Sequence, residues 1–232
     1  MEILPDIIFE DDEMIVLNKP SGLLSIEDGY HKELPNLKNI LKKSYNNIFT
    51  VHRLDRLTSG VILFAKNAHS HKKLNSLFQK RDIKKKYLAI TCGFPFWASK
   101  NLQIPLLING DRMHRTVFNS VNGYFSETHI EVIDKNDISS LICASPRTGY
   151  THQIRAHLSM IGLPILGDRL YTRVYEIKSR KNIVGHPENC IFLHAWQLEI
   201  QHPVRNDILT FEATPPPIFV EKINAFSFNF IC

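Results

Sequence analysis

Short apolar runs separated by turns dominate the hydrophobic pattern of this chain, and such runs are typical of β-strands. The run Val61–Ala65 contains no polar position, which predicts a strand buried on both faces. Over Tyr124–Ile133 polar and apolar residues alternate, which predicts a half-exposed strand with a hairpin partner. Strands are also predicted at residues 3–9, 14–17, 87–91, 102–108, 139–144, 191–200 and 208–213.

Apolar residues with helical spacing predict helices at residues 37–45, 69–80, 151–161 and 218–225. In the third of these, Thr151 is the expected N-cap and Ile154 begins the apolar stripe. Arg155 falls on a different side of this helix, where it can face a cleft. Because strands follow one another without helices between them, we expect an α+β fold with a mixed, mainly antiparallel sheet and flanking helices.

The overall composition is that of an ordinary globular protein. Of the 232 residues, 44% are hydrophobic and 22% charged, and no repeat or linker is evident, so a single domain over residues 1–232 is expected. Residues 172–187 are polar and lack a period, which predicts an exposed loop. The net charge of +5 favours a polyanionic partner. No apolar run approaches the roughly 20 residues that span a bilayer, so no membrane partner is expected.

Several classes of enzyme lack support in the sequence. The four cysteines form no CxxC pair and no signal peptide is recognisable, which predicts reduced thiols in a cytoplasmic protein. Neither the cysteines nor the eleven histidines show zinc spacing, so no metal and no zinc-dependent base deamination are expected. Glycine-rich phosphate loops and a GxSxG motif are absent, which argues against nucleotide hydrolysis, dinucleotide redox chemistry and serine hydrolysis.

A polar loop directly before the Val61–Ala65 strand contains one acid, Asp55, between Arg53 and Arg56. An aspartate between arginines is commonly a structural ion pair or a loop cap. The alternative is catalysis, because a nearby guanidinium keeps a carboxylate ionised and oriented. Such a carboxylate suits attack at, or charge stabilisation beside, a sugar anomeric carbon or an electrophilic base. The residues alone leave both interpretations open.

A second candidate is the basic cluster Lys80–Lys86, which leads into Tyr87. Cations beside an aromatic residue are what phosphate contact and base stacking require. A lysine run is more commonly a solvated surface, however, and Tyr87 could equally belong to the core. Lys19 precedes Pro20 in a predicted loop and is expected to be solvated.

Five stretches of the chain resemble motifs of the RluA-type pseudouridine synthases, in that family's order and spacing. Together they cover the chain from roughly residue 10 to 215, and they are Lys19–Gly22, His52–Gly60, Lys86–Ala89, Arg147–Arg155 and Gly162–Asp168. The second resembles the HRLDRxTSG signature, whose acid is the family's catalytic aspartate. The resemblance implies a pseudouridine synthase fold with a central catalytic cleft. It also implies isomerisation of uridine to pseudouridine in structured RNA, without a cofactor.

The same resemblance assigns roles to individual residues. It implies that Asp55 is the catalytic carboxylate, that Arg155 is its salt-bridge partner and that Tyr87 stacks on the target base. Whether Asp55 attacks C1′, attacks the base or removes a sugar proton is left open. Arg53 matches the arginine that fills the RNA stack where the flipped base was. Further RNA contacts are expected from Arg56, Lys84, Lys85, Lys86, Arg147 and His152.

One position departs from the family pattern. Tyr150 stands where the family usually has arginine, which predicts a weaker RNA contact there. The chain begins almost at the catalytic domain, so no N-terminal S4 RNA-binding module is expected. The implied partner is a stem-loop of tRNA and/or 23S rRNA, and a monomer is expected. The alternative is a catalytically silent RNA-binding protein or RNA chaperone of the same fold, and retention of the three site residues favours the enzyme.

Overall fold

The computed structural model describes residues 5–172 and 190–230. The chain divides into two compact units: Met1–Lys86 with His194–Pro216, and Tyr87–Leu193 with Pro217–Cys232. The expected exposed loop at residues 172–187 lies, apart from its first residue, outside the described residues. The expectation of a single domain over the whole chain stays a prediction.

The described residues form short strands and a few helices. The strands are β1 (Ile7–Glu10), β2 (Met14–Lys19), β3 (Phe49–Thr50), β4 (Ser59–Ala65), β5 (Lys84–Cys92), β6 (Ser99–Gln103), β7 (Leu106–Leu107), β8 (Val117–Phe118), β9 (Glu127–Lys135), β10 (Ser139–Pro146), β11 (Leu193–Gln201) and β12 (Ile208–Glu212). The helices are α1 (Leu37–Leu41), α2 (Ala68–Lys80), α3 (Gln153–Met160), α4 (Arg169–Thr172) and α5 (Pro217–Ala225).

Strand β4 is the central element of the first unit. It pairs antiparallel with β2 and β3 and parallel with β11, while β1 pairs with β2 and β12 with β11. All seven of its residues are buried, as the unbroken apolar run predicted. Helix α2 contributes Leu74 to a core cluster that also contains side chains of β2, β4, β11 and β12. The strands predicted at residues 3–9 and 14–17 correspond to β1 and β2, which pair antiparallel.

The second unit is built on antiparallel strands in the order β5–β10–β9–β6, with β7 and β8 as a separate short pair. Apart from the parallel pair β4–β11, these strand pairs of the two units are antiparallel, so the predicted α+β class with a mixed sheet is confirmed. The strand predicted at residues 102–108 is wrong. It divides at Pro105, because proline cannot donate a hydrogen bond to a strand ladder.

Helix α3 differs from its prediction at its start and in its exposure. Its N-cap is His152, in the left-handed conformation with φ 57° and no side-chain cap, so the predicted cap at Thr151 is wrong. The helix is buried on every side from Gln153 to Ser159. Arg155, which was expected to face a cleft, is only 5% exposed.

Hydrogen bonds explain why polar residues of α3 are buried. Gln153 Nε2 donates to Thr128 Oγ1 at 2.9 Å, and that hydroxyl lies 2.9 Å from His157 Nδ1. His157 Nε2 lies 2.9 Å from Ser126 Oγ, whose own proton goes to the Ile104 carbonyl. One consistent direction of donation runs through these groups, with Thr128 donating to Nδ1 and Nε2–H donating to Ser126. The network fixes α3 on β9 without an unsatisfied polar group within it.

Candidate active site

The loop that carries Asp55 connects β3 and β4 and is bound to the segment Lys19–Ser25. Asp55 itself is half-buried. The hydrogen bonds on either side of it are Ser25 Oγ to Leu54 O (2.8 Å), Gly22 N to Arg56 O (2.8 Å) and Ser21 Oγ to Leu57 O (2.7 Å). Because these bonds fix the backbone both before and after Asp55, the position of the carboxylate is set by the fold.

The two arginines beside Asp55 are both exposed. Arg56 Nε donates to the Gly22 carbonyl at 3.1 Å, so this residue, which was predicted to bind RNA, also closes the loop onto the preceding segment. Arg53 is exposed as its expected place in the RNA stack requires.

Lys19 was expected to be a solvated loop residue, and this expectation is wrong. It is the last residue of β2 and is completely buried. Its Nζ donates to three carbonyls, those of Pro20 (2.9 Å), Leu23 (2.7 Å) and Arg56 (3.2 Å). Burial lowers the pKa of Lys19 to about 7, and the charge of Asp55 acts in the opposite direction. Lys19 therefore joins the Lys19–Ser25 segment to the Asp55 loop and interacts electrostatically with the carboxylate.

The C-terminal end of the loop is anchored where β4 meets β11. His194 Nε2 lies 2.9 Å from the Ala213 carbonyl, which can only accept, so the ring donates from Nε2. Nδ1 is then the acceptor for the Ser59 hydroxyl at 2.9 Å. Burial lowers the pKa of His194 to about 4, which keeps the ring in this neutral form. Gly60 follows, with φ 111°.

The N-terminal end of the loop is anchored by His52. Its Nε2 accepts a hydrogen bond from Leu63 N at 3.0 Å, and its ring stacks on Phe78 with centroids 4.8 Å apart. Burial lowers the pKa of His52 to about 3, and the charge of Lys85 acts in the same direction. The first residue of the signature motif is thus a neutral structural side chain.

The basic residues predicted to contact RNA on β5 lie in three different environments. Lys84 is exposed and pairs with Glu199 at 2.7 Å. Lys85 is half-buried, and burial lowers its pKa to about 8. Lys86 lies over the ring of Trp196, with Nζ 5.9 Å from the centroid. The three lysines therefore do not form a uniform phosphate-binding patch.

Arg155 forms a buried, bidentate ion pair with Asp168. Arg155 Nε donates to Asp168 Oδ2 at 2.7 Å and its NH2 group donates to Oδ1 at 2.9 Å. The guanidinium also lies over the Tyr171 ring, 5.1 Å from the centroid. Asp168 lies in one of the motifs that carry the family resemblance, but it was not predicted as a site residue. The expected ion pair of Arg155 with Asp55 stays a prediction.

The remaining predicted residues belong to the second unit. Tyr87 is half-buried on β5, opposite Ala144 of β10. Arg147 has a side chain that is 72% exposed and lies 3.4 Å from a carboxylate oxygen of Glu127. His152 lies with Nδ1 3.3 Å from the Tyr171 hydroxyl. These residues share one unit with Arg155, whereas Asp55, Arg53 and Arg56 belong to the other.

Metal ligation and membrane insertion find no support in the described part of the chain. Within residues 5–172 and 190–230, no group of three or more histidine, cysteine, aspartate or glutamate side chains could bind a metal ion. Over the same residues, no helix combines the length and the apolar character needed to cross a membrane.

Comparison with known proteins gives consistent matches. The family model for RNA pseudouridylate synthases matches residues 13–160. The dual-specificity RNA pseudouridine synthase RluA of Escherichia coli (strain K12) is 33% identical over 208 residues, which cover 89% of this chain and 91% of that protein. Ribosomal large subunit pseudouridine synthase D of Nitrosomonas europaea is 36% identical over 218 residues, covering 90% of this chain and 62% of that protein.

The fold matches a solved structure as well. Human RNA pseudouridylate synthase domain containing 4 superposes with a TM-score of 0.76 at 27% identity, covering 97% of this chain and 94% of that one. Sequence and fold agree over most of the chain. The chain therefore belongs to the RNA pseudouridine synthase family, whose members are isomerases that act on RNA.

Proposed function

We propose that this protein converts specific uridines of tRNA and/or 23S rRNA to pseudouridine, with Asp55 as the catalytic carboxylate. The observation that carries the role of Asp55 is its loop, which is hydrogen-bonded to the Lys19–Ser25 segment and anchored at its two ends by His52 and His194. A fixed and half-exposed carboxylate is what attack on, or charge stabilisation beside, a sugar or base requires. The similar RluA protein of Escherichia coli is named as dual-specific, and the similar protein of Nitrosomonas europaea is named for the large ribosomal subunit, which supports both classes of RNA.

The reaction is an isomerisation and needs no second substrate. The N1–C1′ bond of uridine breaks, the base rotates, and a C5–C1′ bond forms. The hydrogen on C5 then leaves as a proton, and N1 gains one. In this proposal Tyr87 stacks on the flipped base, Arg155 pairs with the carboxylate of Asp55, and Arg53 occupies the gap in the RNA stack. The protein would act in the cytoplasm as a monomer.

The direct test is tritium release from total cellular RNA labelled with [5-³H]uridine. Formation of the C5–C1′ bond must expel the C5 hydrogen, so the assay works whichever uridine is modified. We expect release by the wild type and none above background by Asp55→Asn, which keeps the size of the side chain and removes its charge. Carbodiimide mapping of the products would then identify the modified uridine and its RNA.

The matched control is Asp12→Asn, because Asp12 is an exposed aspartate of the same unit at the β1–β2 turn. It should release tritium at the wild-type rate. Release by Asp55→Asn would show that another residue is catalytic. If none of the three proteins releases tritium although all of them bind RNA, the protein is an RNA-binding protein and not an enzyme.

A further inference from the structure

Two tyrosines of the second unit, the exposed Tyr124 and the half-buried Tyr150, form a stack. Tyr124 is 57% exposed, and its ring lies 5.7 Å from that of Tyr150, with an angle of 21° between the planes. We refer to these two residues as the tyrosine pair. Its neighbour Phe125 is 53% exposed, and Phe118 on β8 is 55% exposed. Grouped aromatic side chains in contact with water are unusual on a surface that has no partner.

The tyrosine pair continues the register of the β9–β10 hairpin. The last ladder pair of these strands is Pro146 with Thr128. One residue further, Arg147 N donates to the Glu127 carbonyl at 3.0 Å, so the register continues beyond the strands. Tyr150 lies three residues after Arg147 and Tyr124 lies three residues before Glu127, so the same register would place the two tyrosines opposite each other, in agreement with their stacking. The stack therefore lies just beyond the end of the hairpin, where residues 147–150 are no longer in a strand.

The backbone of both tyrosines is also fixed. Tyr150 N donates to Gln153 Oε1 at 3.1 Å, and the Gln153 side chain is fixed in turn by Thr148 Oγ1 at 2.7 Å. Tyr124 exchanges two backbone hydrogen bonds with Leu106, at 2.9 and 3.0 Å. A fixed backbone and a stacked ring leave less freedom to be lost when a ligand binds, so the tyrosine pair is preorganised.

A cation completes the surface. Arg147 lies between the last ladder pair and the tyrosine pair, its side chain is 72% exposed, and its ion pair with Glu127 is long at 3.4 Å. Arg147 precedes Tyr150 by only three residues, and an aromatic platform with an exposed guanidinium this close in the chain fits a nucleotide, whose base stacks and whose phosphate pairs.

We propose that the tyrosine pair is a stacking platform for a nucleobase of the RNA substrate, with Arg147 contacting an adjacent phosphate. This proposal rests on the proposed function and deepens it, because it names a contact that binds RNA outside the chemical step. The arginine expected at position 150 would contribute a charge contact, which weakens with salt. Stacking accepts any base and depends little on salt. Tyrosine at position 150 thus provides a stacking contact where the arginine usual in the family would provide an electrostatic one.

The test compares Tyr124→Leu and Tyr150→Leu with the matched controls Tyr124→Phe and Tyr150→Phe. Leucine keeps an apolar side chain for packing and removes the aromatic face, whereas phenylalanine keeps the stack. Fluorescence anisotropy with fluorescein-labelled oligouridylate over a range of salt concentrations gives both the Kd and its salt dependence. We expect each leucine variant to raise the Kd roughly tenfold with an unchanged salt slope, and each phenylalanine variant to bind like the wild type.

The variant Arg147→Gln is expected to differ from the leucine variants in its salt dependence. It should weaken binding and reduce the salt slope by about one, as expected for loss of one phosphate contact. Unchanged Kd values in both leucine variants would overturn the proposal, as would a weakening equally large in the phenylalanine variants. Tritium release distinguishes failure of this proposal from failure of the proposed function. If the wild type modifies RNA and the leucine variants bind RNA normally, only the stacking platform is refuted.

Discussion

Lys19 shows how a single buried lysine can organise the Asp55 loop. Its ammonium donates to carbonyls on both the Lys19–Ser25 segment and the Asp55 loop, and no solvent reaches it. Loss of the donor to a buried carbonyl lowers the free energy of unfolding by about 1–3 kcal/mol, so the three hydrogen bonds of Lys19 together make a substantial contribution to stability. The lowered pKa of Lys19 means that this set is sensitive to pH near neutrality.

We predict that Lys19→Met lowers the free energy of unfolding by about 2–4 kcal/mol, because methionine fills a similar volume but donates no hydrogen bond. Tritium release should fall as well, since the Arg56 carbonyl beside Asp55 loses a donor. Urea unfolding and the tritium assay measure the two effects. A variant as stable and as active as the wild type would contradict the role given to this residue.

The pH dependence of stability provides a second test of Lys19. Burial lowers its pKa from 10.5 to about 7, so between these values the unfolded chain binds more protons at this residue than the folded protein. The free energy of unfolding therefore rises with pH through this window, at most by about 1.4 kcal/mol per pH unit for one proton. Lys19→Met should lack this contribution. Lys85, whose pKa burial lowers to about 8, contributes to both proteins, so the difference isolates Lys19.

At the scale of residues, the sequence made Asp55 a candidate because a lone acid precedes a buried strand, and the family resemblance assigned it the catalytic role. It placed Lys19 wrongly, because most lysines are solvated and three backbone carbonyls around one ammonium leave no trace in the composition. It also could not name Asp168 as a partner of Arg155, since the two side chains meet through packing of the folded chain and not through helical spacing.

At the scale of elements, the parallel contact of β4 with β11 depends on one glycine. A Cβ on Gly60 would lie 2.1 Å from the Ala195 carbonyl oxygen, and φ at this position is 111°. The close carbonyl oxygen and the positive φ angle are both properties of the backbone, so no side-chain rearrangement can relieve them. The strand that follows the Asp55 loop can approach β11 only because this residue has no side chain.

We predict that Gly60→Ala destabilises the protein by at least about 3 kcal/mol, because overpacking against backbone adds to conformational strain. Gly22→Ala is the control: its φ is 90°, but a Cβ there would meet nothing within 4 Å. Strain alone should lower its stability by about 1–2 kcal/mol. Thermal and urea unfolding compare the two variants, and equal losses would show that strain, and not the close approach, makes Gly60 necessary.

Most elements were predictable because each has one dominant local cause. The buried run of β4 and the helix α2 follow from hydrophobic spacing, and the end of β6 follows from Pro105 once the lack of a proline donor is considered. The sequence located helix α3 to within two residues, but with the wrong N-cap and without its environment. Polar side chains such as Gln153 and His157 are usually exposed, and only the hydrogen bonds to β9 show why they are buried here.

At the scale of the whole molecule, neutral histidines with little or no exposed surface form hydrogen bonds inside each unit. His52 and His194 lie in the first unit and His157 lies in the second. Burial lowers the pKa of His52 to about 3 and those of His157 and His194 to about 4. In each ring one nitrogen accepts a hydrogen bond, and protonation of that nitrogen would abolish the bond. The fold as a whole is therefore expected to be sensitive to mild acid.

The sign of this effect follows from proton binding. Below the ordinary histidine pKa of 6.5 the unfolded chain protonates these residues while the folded protein does not, so the free energy of unfolding falls as the pH is lowered from about 6.5 towards 4. Each histidine contributes up to about 1.4 kcal/mol per pH unit. We predict that His157→Gln, whose amide can both donate to Ser126 and accept from Thr128, reduces the slope of stability against pH by about one proton. Urea unfolding at several pH values between 5 and 6.5, above the range in which most carboxylates titrate, measures the slope. An unchanged slope in both His157→Gln and His194→Gln would mean that these rings do not couple folding to pH.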